Sequence, residues 1–490
     1  VENLDRIGPV LVMFLAAAVV LLADLLPAPP RRRFYAATAV VAALLATAWT
    51  LSLISRGRAG GAEDVAFSGG LVMDRFSLFF AFLFPWVAAF VGLASLDYLD
   101  RMADRAAEFY ALLFTVTGGA MLLAAANDLI AIFIALELQS VSQYVLAGFL
   151  GSPRSSEAGL KYLLLGATSV AVMLYGMAFL FGLAGSTALP DIAAALGSAP
   201  DGQRAAFLTA AVLLAVGFGF KMAIVPFQMW VPDVYQGAPT PVTAYLSVGS
   251  KAAGFAVTLR VFYSALGADV IAPQWANLFA VLAAISMTLG NVMALLQTNI
   301  KRLLGYSSIA QAGNFLIGVA AIAVDGARFT LASSAVLFFI AAYAFTNLGA
   351  FFAVIGISSR IGSDRIRDYA GMWRRAPLLA VLLTFCLMSL TGLPPTAGFW
   401  AKLYIFNAAV RADMVWLVVV GVLNTIVSAF YYLAVVRQMF IAPPPTEAPV
   451  RPMPGLQFSL AVAALGVLLI GLFPNPLVEA AERAATVFAR

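Results

Sequence analysis

Four ionisable residues stand inside long apolar stretches. Glu137 lies in LIAIFIALELQSVSQYVLAGF, Lys221 follows Phe218-Gly219-Phe220, Lys251 is central in VTAYLSVGSKAAGFAVTLRVF, and Lys402 lies in GFWAKLY. Each charge at the centre of a membrane helix costs roughly 2.5–3.5 kcal/mol. Together they would cost on the order of 10–14 kcal/mol in lipid, comparable to the stability of a whole domain. They must therefore face a bundle interior, pair, or meet water. Burial disfavours the charged form of Lys and Glu alike, and pairing opposes that effect. A lysine that gains and loses a carboxylate partner loads and releases a proton, so these residue types predict a proton relay. The shared burial of Glu137 and Lys221 predicts that they approach within ion-pair distance, directly or through one water. Lys161, near the start of a further apolar stretch, is a fifth candidate; it could equally snorkel or pair with Glu157 one turn earlier. Asp24, Asp74 and Asp128 read as interfacial caps or helix-end charges.

Uncharged polar residues accompany the charges. Gln139, Ser140, Ser142 and Gln143 follow Glu137. Ser307, Ser308, Gln311 and Asn314 share a second stretch, and Tyr343, Thr346 and Asn347 a third. Ser and Thr often bond only their own helix, but so dense a run beside buried charges predicts a hydrated interior.

The chain that must position these groups has 490 residues, of which 62% are hydrophobic and 11% charged. A soluble protein of this size carries many more charges. It holds no histidine and a single cysteine, Cys386. That composition excludes a disulfide framework and leaves no ligand set for an Fe–S cluster or for zinc of the usual His/Cys kind. The net charge of +5 comes from short loops between apolar stretches, so it reflects membrane topology and not nucleic-acid binding.

Apolar stretches long enough to cross roughly 30 Å of hydrocarbon recur along the chain. They fall at about 7–26, 34–54, 76–96, 109–126, 129–149, 160–183, 205–225, 239–262, 273–297, 303–323, 330–357, 378–408, 414–438 and 456–474. The fold class is thus all-α integral membrane, with about fourteen transmembrane helices in one polytopic domain over 1–490. The acidic start, Val1-Glu2-Asn3-Leu4-Asp5, argues for a retained first span. Longer connections are expected at 55–75, 184–204, 359–377 and 439–455, the last Pro-rich. Two spans are interrupted alike. The seventh breaks at Pro226 with Pro232 beyond, and the twelfth at Gly392-Leu393-Pro394-Pro395. Proline removes a backbone donor, and such breaks survive in a bilayer only where protein or water satisfies the freed carbonyls. The breaks lie five spans apart. This predicts two inverted five-helix repeats, spans 4–8 (109–262) and 9–13 (273–438), a transporter signature. The first three spans (1–108) precede them and the last (456–474) follows.

Basic residues in alternate loops, Arg31–Arg33, Arg101, Arg105, Arg154, Lys301, Arg302 and the 360–375 cluster among them, number roughly 15 on one side against roughly 10 on the other. The richer side is assigned to the cytoplasm, and both termini to the outer, periplasmic side of a bacterial plasma (inner) membrane.

The stretch KMAIVPFQMWVPDVYQGAP from Lys221 to Pro239 resembles the subunit N family of bacterial proton-pumping NADH–quinone oxidoreductase (respiratory complex I), whose mitochondrial relative is subunit 2. QTNIKRLLGYSS from Gln297 to Ser308 and GFWAKLY from Gly398 to Tyr404 resemble it too. The likeness covers roughly 100–480. VYQGAP discriminates, since the sister subunits L and M differ there, and subunit M carries a carboxylate at the position of Lys402. The resemblance implies an antiporter-like fold of fourteen helices and proton translocation driven by redox chemistry elsewhere in the complex. It implies that Glu137 and Lys221 act as the pair, Lys251 as the central relay and Lys402 as the terminal lysine, and it matches Lys161 to a further family lysine. The family often has histidine where this chain has Gln228 and Gln311, so a direct histidine role is absent there. It implies a translocase subunit that binds no cofactor itself, with NADH, FMN, Fe–S clusters and quinone held by partner subunits. The expected partners are the other antiporter-like and small membrane subunits and the lipid bilayer, with no nucleic acid. A multi-subunit cation/proton antiporter, a membrane-bound hydrogenase or a non-conducting scaffold are the alternatives. The scaffold predicts that the buried lysines are dispensable.

Overall fold

The structure, a computed structural model, describes residues 2–26, 32–57, 65–96, 98, 105–321, 329–446, 448–450 and 454–488. The loop arginines Arg31, Arg101 and Arg451, and parts of the 55–75 and 439–455 connections, lie outside them.

The chain is mostly helical, because its long apolar runs leave backbone hydrogen bonding inside each helix as the only way to satisfy polar groups in hydrocarbon. Among the described residues, 11 helices are long and apolar enough to cross a membrane, from Arg32–Ser55 to Pro454–Leu472. Gly8–Asp24 and Pro377–Thr391 are shorter apolar helices. Residues 240–265 wind continuously but alternate between α turns and wider π turns, at Leu246–Ser250 and Val261–Ala265. The Ile300–Ala320 and Thr330–Ile361 helices are the most enclosed, each 94% buried over its most apolar window. They form the centre of the bundle.

Three details depart from the expected pattern. Val65–Ala66 and Leu71–Val72 form a small antiparallel hairpin, whose turn is tied to Asn127 through Gly70. The 184–204 connection contains a docked helix, Leu189–Gly197. Beyond the last long apolar helix, Asn475–Ala485 forms an amphipathic helix, which carries too few apolar residues to register as a span.

Both interrupted helices break where the prolines predict. Asp201–Met222 ends at Ala223, which takes a left-handed conformation (φ 61°), and Val231–Gly237 resumes. The freed carbonyl of Phe220 accepts from the Trp230 indole at 3.1 Å, and the Val225 N–H donates to Ser286 at 3.0 Å. Pro377–Thr391 ends at Gly392 (φ 92°) and Ala397–Arg411 resumes. Here Gln311 donates to the Leu390 carbonyl at 2.9 Å and Lys402 to the Thr391 carbonyl at 2.8 Å. Protein groups thus satisfy each break, as a bilayer demands.

The second break also requires close approach of backbone to backbone. A Cβ on Gly398 would lie 1.8 Å from the Ser389 carbonyl oxygen. Gly398→Ala is expected to force the half-helices apart and to destabilise the chain by about 3 kcal/mol or more, beyond an ordinary overpacking change. Its melting temperature in detergent should fall clearly below wild type; an unchanged value would contradict the packing described.

Candidate functional site: a buried row of lysines

Lys221 sits in the last turn of Asp201–Met222 and is buried. Its ammonium donates to Ser140 Oγ at 3.0 Å and to Gln143 Oε1 at 2.9 Å, both on the Leu129–Ala147 helix. The same Gln143 oxygen accepts from Tyr162 (2.9 Å) and Ser250 (3.1 Å). Gln143 is therefore a shared acceptor joining the first break to the turn that precedes Lys251. Gln143→Leu would remove that acceptor from a buried ammonium and two hydroxyls. The expected cost is about 1–3 kcal/mol for the stranded donors, read as a lowered melting temperature; an unchanged one would show that the hub is dispensable.

Glu137 lies one turn before Ser140 on the same helix. It is half-buried, and its Oε1 is enclosed without a protein partner. Among the described residues no salt bridge joins Glu137 to Lys221: the lysine turns to Ser140 and Gln143 instead. Of the two forms expected, the direct ion pair is not formed among the described residues, and the ammonium bonds two neutral acceptors on the helix that carries Glu137.

Lys251 follows the π turn Leu246–Ser250 and is buried. It donates to the Ser308 carbonyl and, at 2.6 Å, to Ser308 Oγ. Tyr343 donates to that hydroxyl at 3.2 Å, and Tyr235 lies 3.4 Å from it. The ammonium stands 6.0 Å from the Tyr343 ring centre. π turns recur at functional sites.

Lys402, buried beyond the second break, donates to the Thr391 carbonyl and to Thr425 Oγ1 at 3.1 Å. Its ammonium meets the negative end of the Pro377–Thr391 helix, which favours a cation. Between Tyr343 and Lys402 lies a cavity of about 10 Å³, lined also by Gln311, Thr346 and Ser389. That is about the room one water needs.

Lys221, Lys251 and Lys402 form no salt bridge among the described residues; their partners are hydroxyls, an amide and carbonyls. Beside them, side-chain atoms of Glu137, Gln139, Gln143, Asn314 and Asn347 are buried without a protein partner. Buried polar groups in native proteins are almost always satisfied, so these atoms mark where internal water belongs.

The remaining candidates fall elsewhere. Lys161 is not brought to the buried lysines. Its side chain is 42% exposed and pairs with Glu157 and Asp233, each at 2.7 Å. Arg302 also holds Asp233, at 2.6 Å, so this cluster pins the Val231–Gly237 half-helix. Lys301, expected in a loop, is buried and donates to the carbonyls of Gln236 and Ala238 (3.0 and 2.7 Å). Gln228 and Gln311 differ: Gln311 bridges the second break, while Gln228 Oε1 is buried without a partner. Asp74 and Asp128 cap helices, accepting from Ser77 N and Ile130 N, and Asp24 accepts from the Tyr35 hydroxyl at 2.7 Å.

Asp74 also does what sequence reading missed. It pairs with Arg260 through two hydrogen bonds, at 2.7 and 3.0 Å, and both side chains are buried. Arg260 further donates to the Ala124 carbonyl. The available signal was an arginine within the eighth span opposite an aspartate at the start of the third.

Residues 126–428 match the family model described as NADH:quinone oxidoreductase/Mrp antiporter, TM. NADH-quinone oxidoreductase subunit N of Moorella thermoacetica is 43% identical over 422 residues, 86% of this chain and 87% of that protein. The chain belongs to the subunit N family of NADH-quinone oxidoreductases. Solved structures are also similar. A chain of respiratory complex I from Thermus thermophilus with bound Aureothin aligns with a TM-score of 0.77 at 31% identity, over 96% of this chain and 98% of that one. A chain of the Mrp complex from Dietzia sp. DQ12-45-1b aligns with a TM-score of 0.84 at 19% identity, over 100% of this chain and 97% of that one. At that identity the likeness speaks of fold alone.

Proposed function

We propose that this chain is a membrane-arm subunit of a proton-translocating NADH–quinone oxidoreductase in a bacterial plasma membrane. It carries protons along Glu137, Lys221, Lys251 and Lys402, driven by electron transfer from NADH to quinone in partner subunits that hold the FMN and Fe–S centres. The observation that carries this reading is the row of enclosed lysines with only neutral acceptors. A structural ion pair is matched by an opposite charge, as Asp74 and Arg260 are. A lysine among hydroxyls and amides gives up its proton without stranding a counter-ion, and water at the orphaned polar atoms links one lysine to the next. Lys161 is left to hold the first half-helix and stands outside the path.

The 11 long spans, the two shorter apolar helices and the 240–265 run make fourteen crossings in one domain. Inverted five-helix repeats span 109–262 and 273–438, and both termini lie on the periplasmic side. In support, each repeat contributes one broken helix with a lysine at the break, Lys221 before the first and Lys402 after the second.

Glu137→Gln tests the reading. It keeps the shape of the side chain and removes its capacity to take up a proton. NADH-driven proton uptake into membrane vesicles should fall by about a hundredfold, the low end of what loss of a positioned acid–base group costs, while the subunit remains assembled. Wild-type uptake would favour the scaffold. Uptake that depends on sodium and not on NADH would favour the antiporter.

A further inference from the structure

Gln139 is the one residue among those described whose side-chain amide is enclosed at both ends without a partner. It is fully buried, in the middle of the Leu129–Ala147 helix. Exchanging the amide's oxygen and nitrogen would change nothing, because neither end is bonded. Buried polar atoms in native proteins are almost always satisfied, and leaving an amide dry costs more than an ordinary hydrogen bond returns. Leucine would fill a similar space without that cost. An amide kept here therefore serves something other than packing.

Its place on the helix says what. Successive residues of an α-helix are turned by about 100°. Around this helix the order is therefore Glu137, Ser140, Gln143, Gln139, and Glu137 and Gln139 stand about 160° apart. Lys221 is held between them, at Ser140 and Gln143. Glu137 thus lies on the half-buried flank of Lys221 and Gln139 on the enclosed one. Gln143 follows Gln139 by one turn on nearly the same face. Its oxygen accepts from Lys221, Tyr162 and Ser250, while its side-chain nitrogen is enclosed and unbonded. Three unpaired amide atoms one turn apart supply the polar partners that a buried water needs.

The neighbouring helices give the direction. A Cβ on Gly119 would lie 3.0 Å from the Gln139 backbone nitrogen, so the Ala106–Ala125 helix closes over Gln139 from one side. Ser250, bonded to Gln143, directly precedes Lys251. Less than one turn beyond Lys251, a Cβ on Gly254 would lie 3.3 Å from the Lys221 Cβ. The helices that carry Lys221 and Lys251 are therefore in contact beside the Gln143 hub.

We infer that Gln139 is a positioning residue of the proton path: with the Gln143 nitrogen it holds an ordered water that passes the proton between Lys221 and Lys251. The inference rests on the proton-carrying function proposed above. The Lys221 ammonium gives a proton to this water, and the water releases one of its own toward the neutral Lys251 amine. A glutamine amide suits the place because it donates and accepts at once and does not titrate. It fixes the water without competing for the proton.

The test compares Gln139→Leu and Gln139→Met, the second with an unbranched stem like that of glutamine, in the assembled complex. Neither change breaks a side-chain hydrogen bond among the described residues, so the melting temperature should stay at or above the wild-type value. NADH-driven proton uptake at matched subunit content should nevertheless fall roughly five- to tenfold, the rate equivalent of one lost hydrogen bond. A structure of the wild-type complex fine enough to show waters should place one within about 2.7–3.2 Å of the Gln139 amide. Absence of that water, or wild-type uptake in both variants, would overturn the inference. So would a loss of uptake that only follows a lowered melting temperature, since the amide would then be holding the fold. Lys251→Met separates the two levels of failure. Normal uptake there removes the proton path and this inference with it, whereas normal uptake in the Gln139 variants alone removes only the water site.

Discussion

Lys251→Met is expected to lower NADH-driven proton uptake by about a hundredfold, the lower range of what loss of a positioned acid–base group costs, in a complex that still assembles. Methionine keeps most of the stem and removes the ammonium. The change leaves Ser308 with its tyrosine contacts from Tyr343 and Tyr235. It also strands no carboxylate, since Lys251 has no salt-bridge partner among the described residues. Assembly should therefore survive where transfer does not. Lys251→Arg should impair uptake as well, because arginine holds its proton at any working pH. Dye-quenching in sealed vesicles at matched subunit content is the measurement. Wild-type uptake in both variants would remove Lys251 from the path.

The opposite pattern is expected at Arg260. Arg260→Ala leaves the Asp74 carboxylate and the Ala124 carbonyl enclosed without their donor. Breaking a buried pair from one side costs about 3–5 kcal/mol, so the amount of assembled chain should drop steeply. Asp74→Leu combined with Arg260→Met should recover much of the loss, because an apolar pair of similar volume avoids the stranded charge. Thermal unfolding of the purified assembly reads both effects. A single variant as stable as wild type, or a double variant no better than the single, would show that the pair does not tie these helices together.

The contrast between Lys251 and Arg260 shows what the sequence carried and what it did not. Hydropathy located the long helices, since any run of about twenty apolar residues must be wound up in hydrocarbon. Proline located both breaks, because it removes a donor wherever it stands. The expense of burying charge pointed to Glu137, Lys221, Lys251 and Lys402 before any contact was known. Partners were not legible. The acceptors of Lys221 come from a helix some eighty residues away, and nothing local says that Gln143 outcompetes Glu137 for its ammonium. Lys301 read as a loop charge because it opens a helix, yet the half-helix at Gln236 and Ala238 folds over it. Arg260 escaped notice because its aspartate lies 186 residues earlier. The final amphipathic helix lacked the apolar length that flags a span, and its packing shows only in three dimensions.

Proton uptake per NADH oxidised in proteoliposomes, compared for Lys221→Met, Lys251→Met, Lys402→Met and the triple variant, shows whether the buried lysines act in series on one proton path. Residues acting as one unit are grossly non-additive. The series reading predicts that each single variant loses about as much uptake as the triple variant does. Single variants that pump at the wild-type ratio with normal assembly, or losses that simply multiply from one variant to the next, would contradict it.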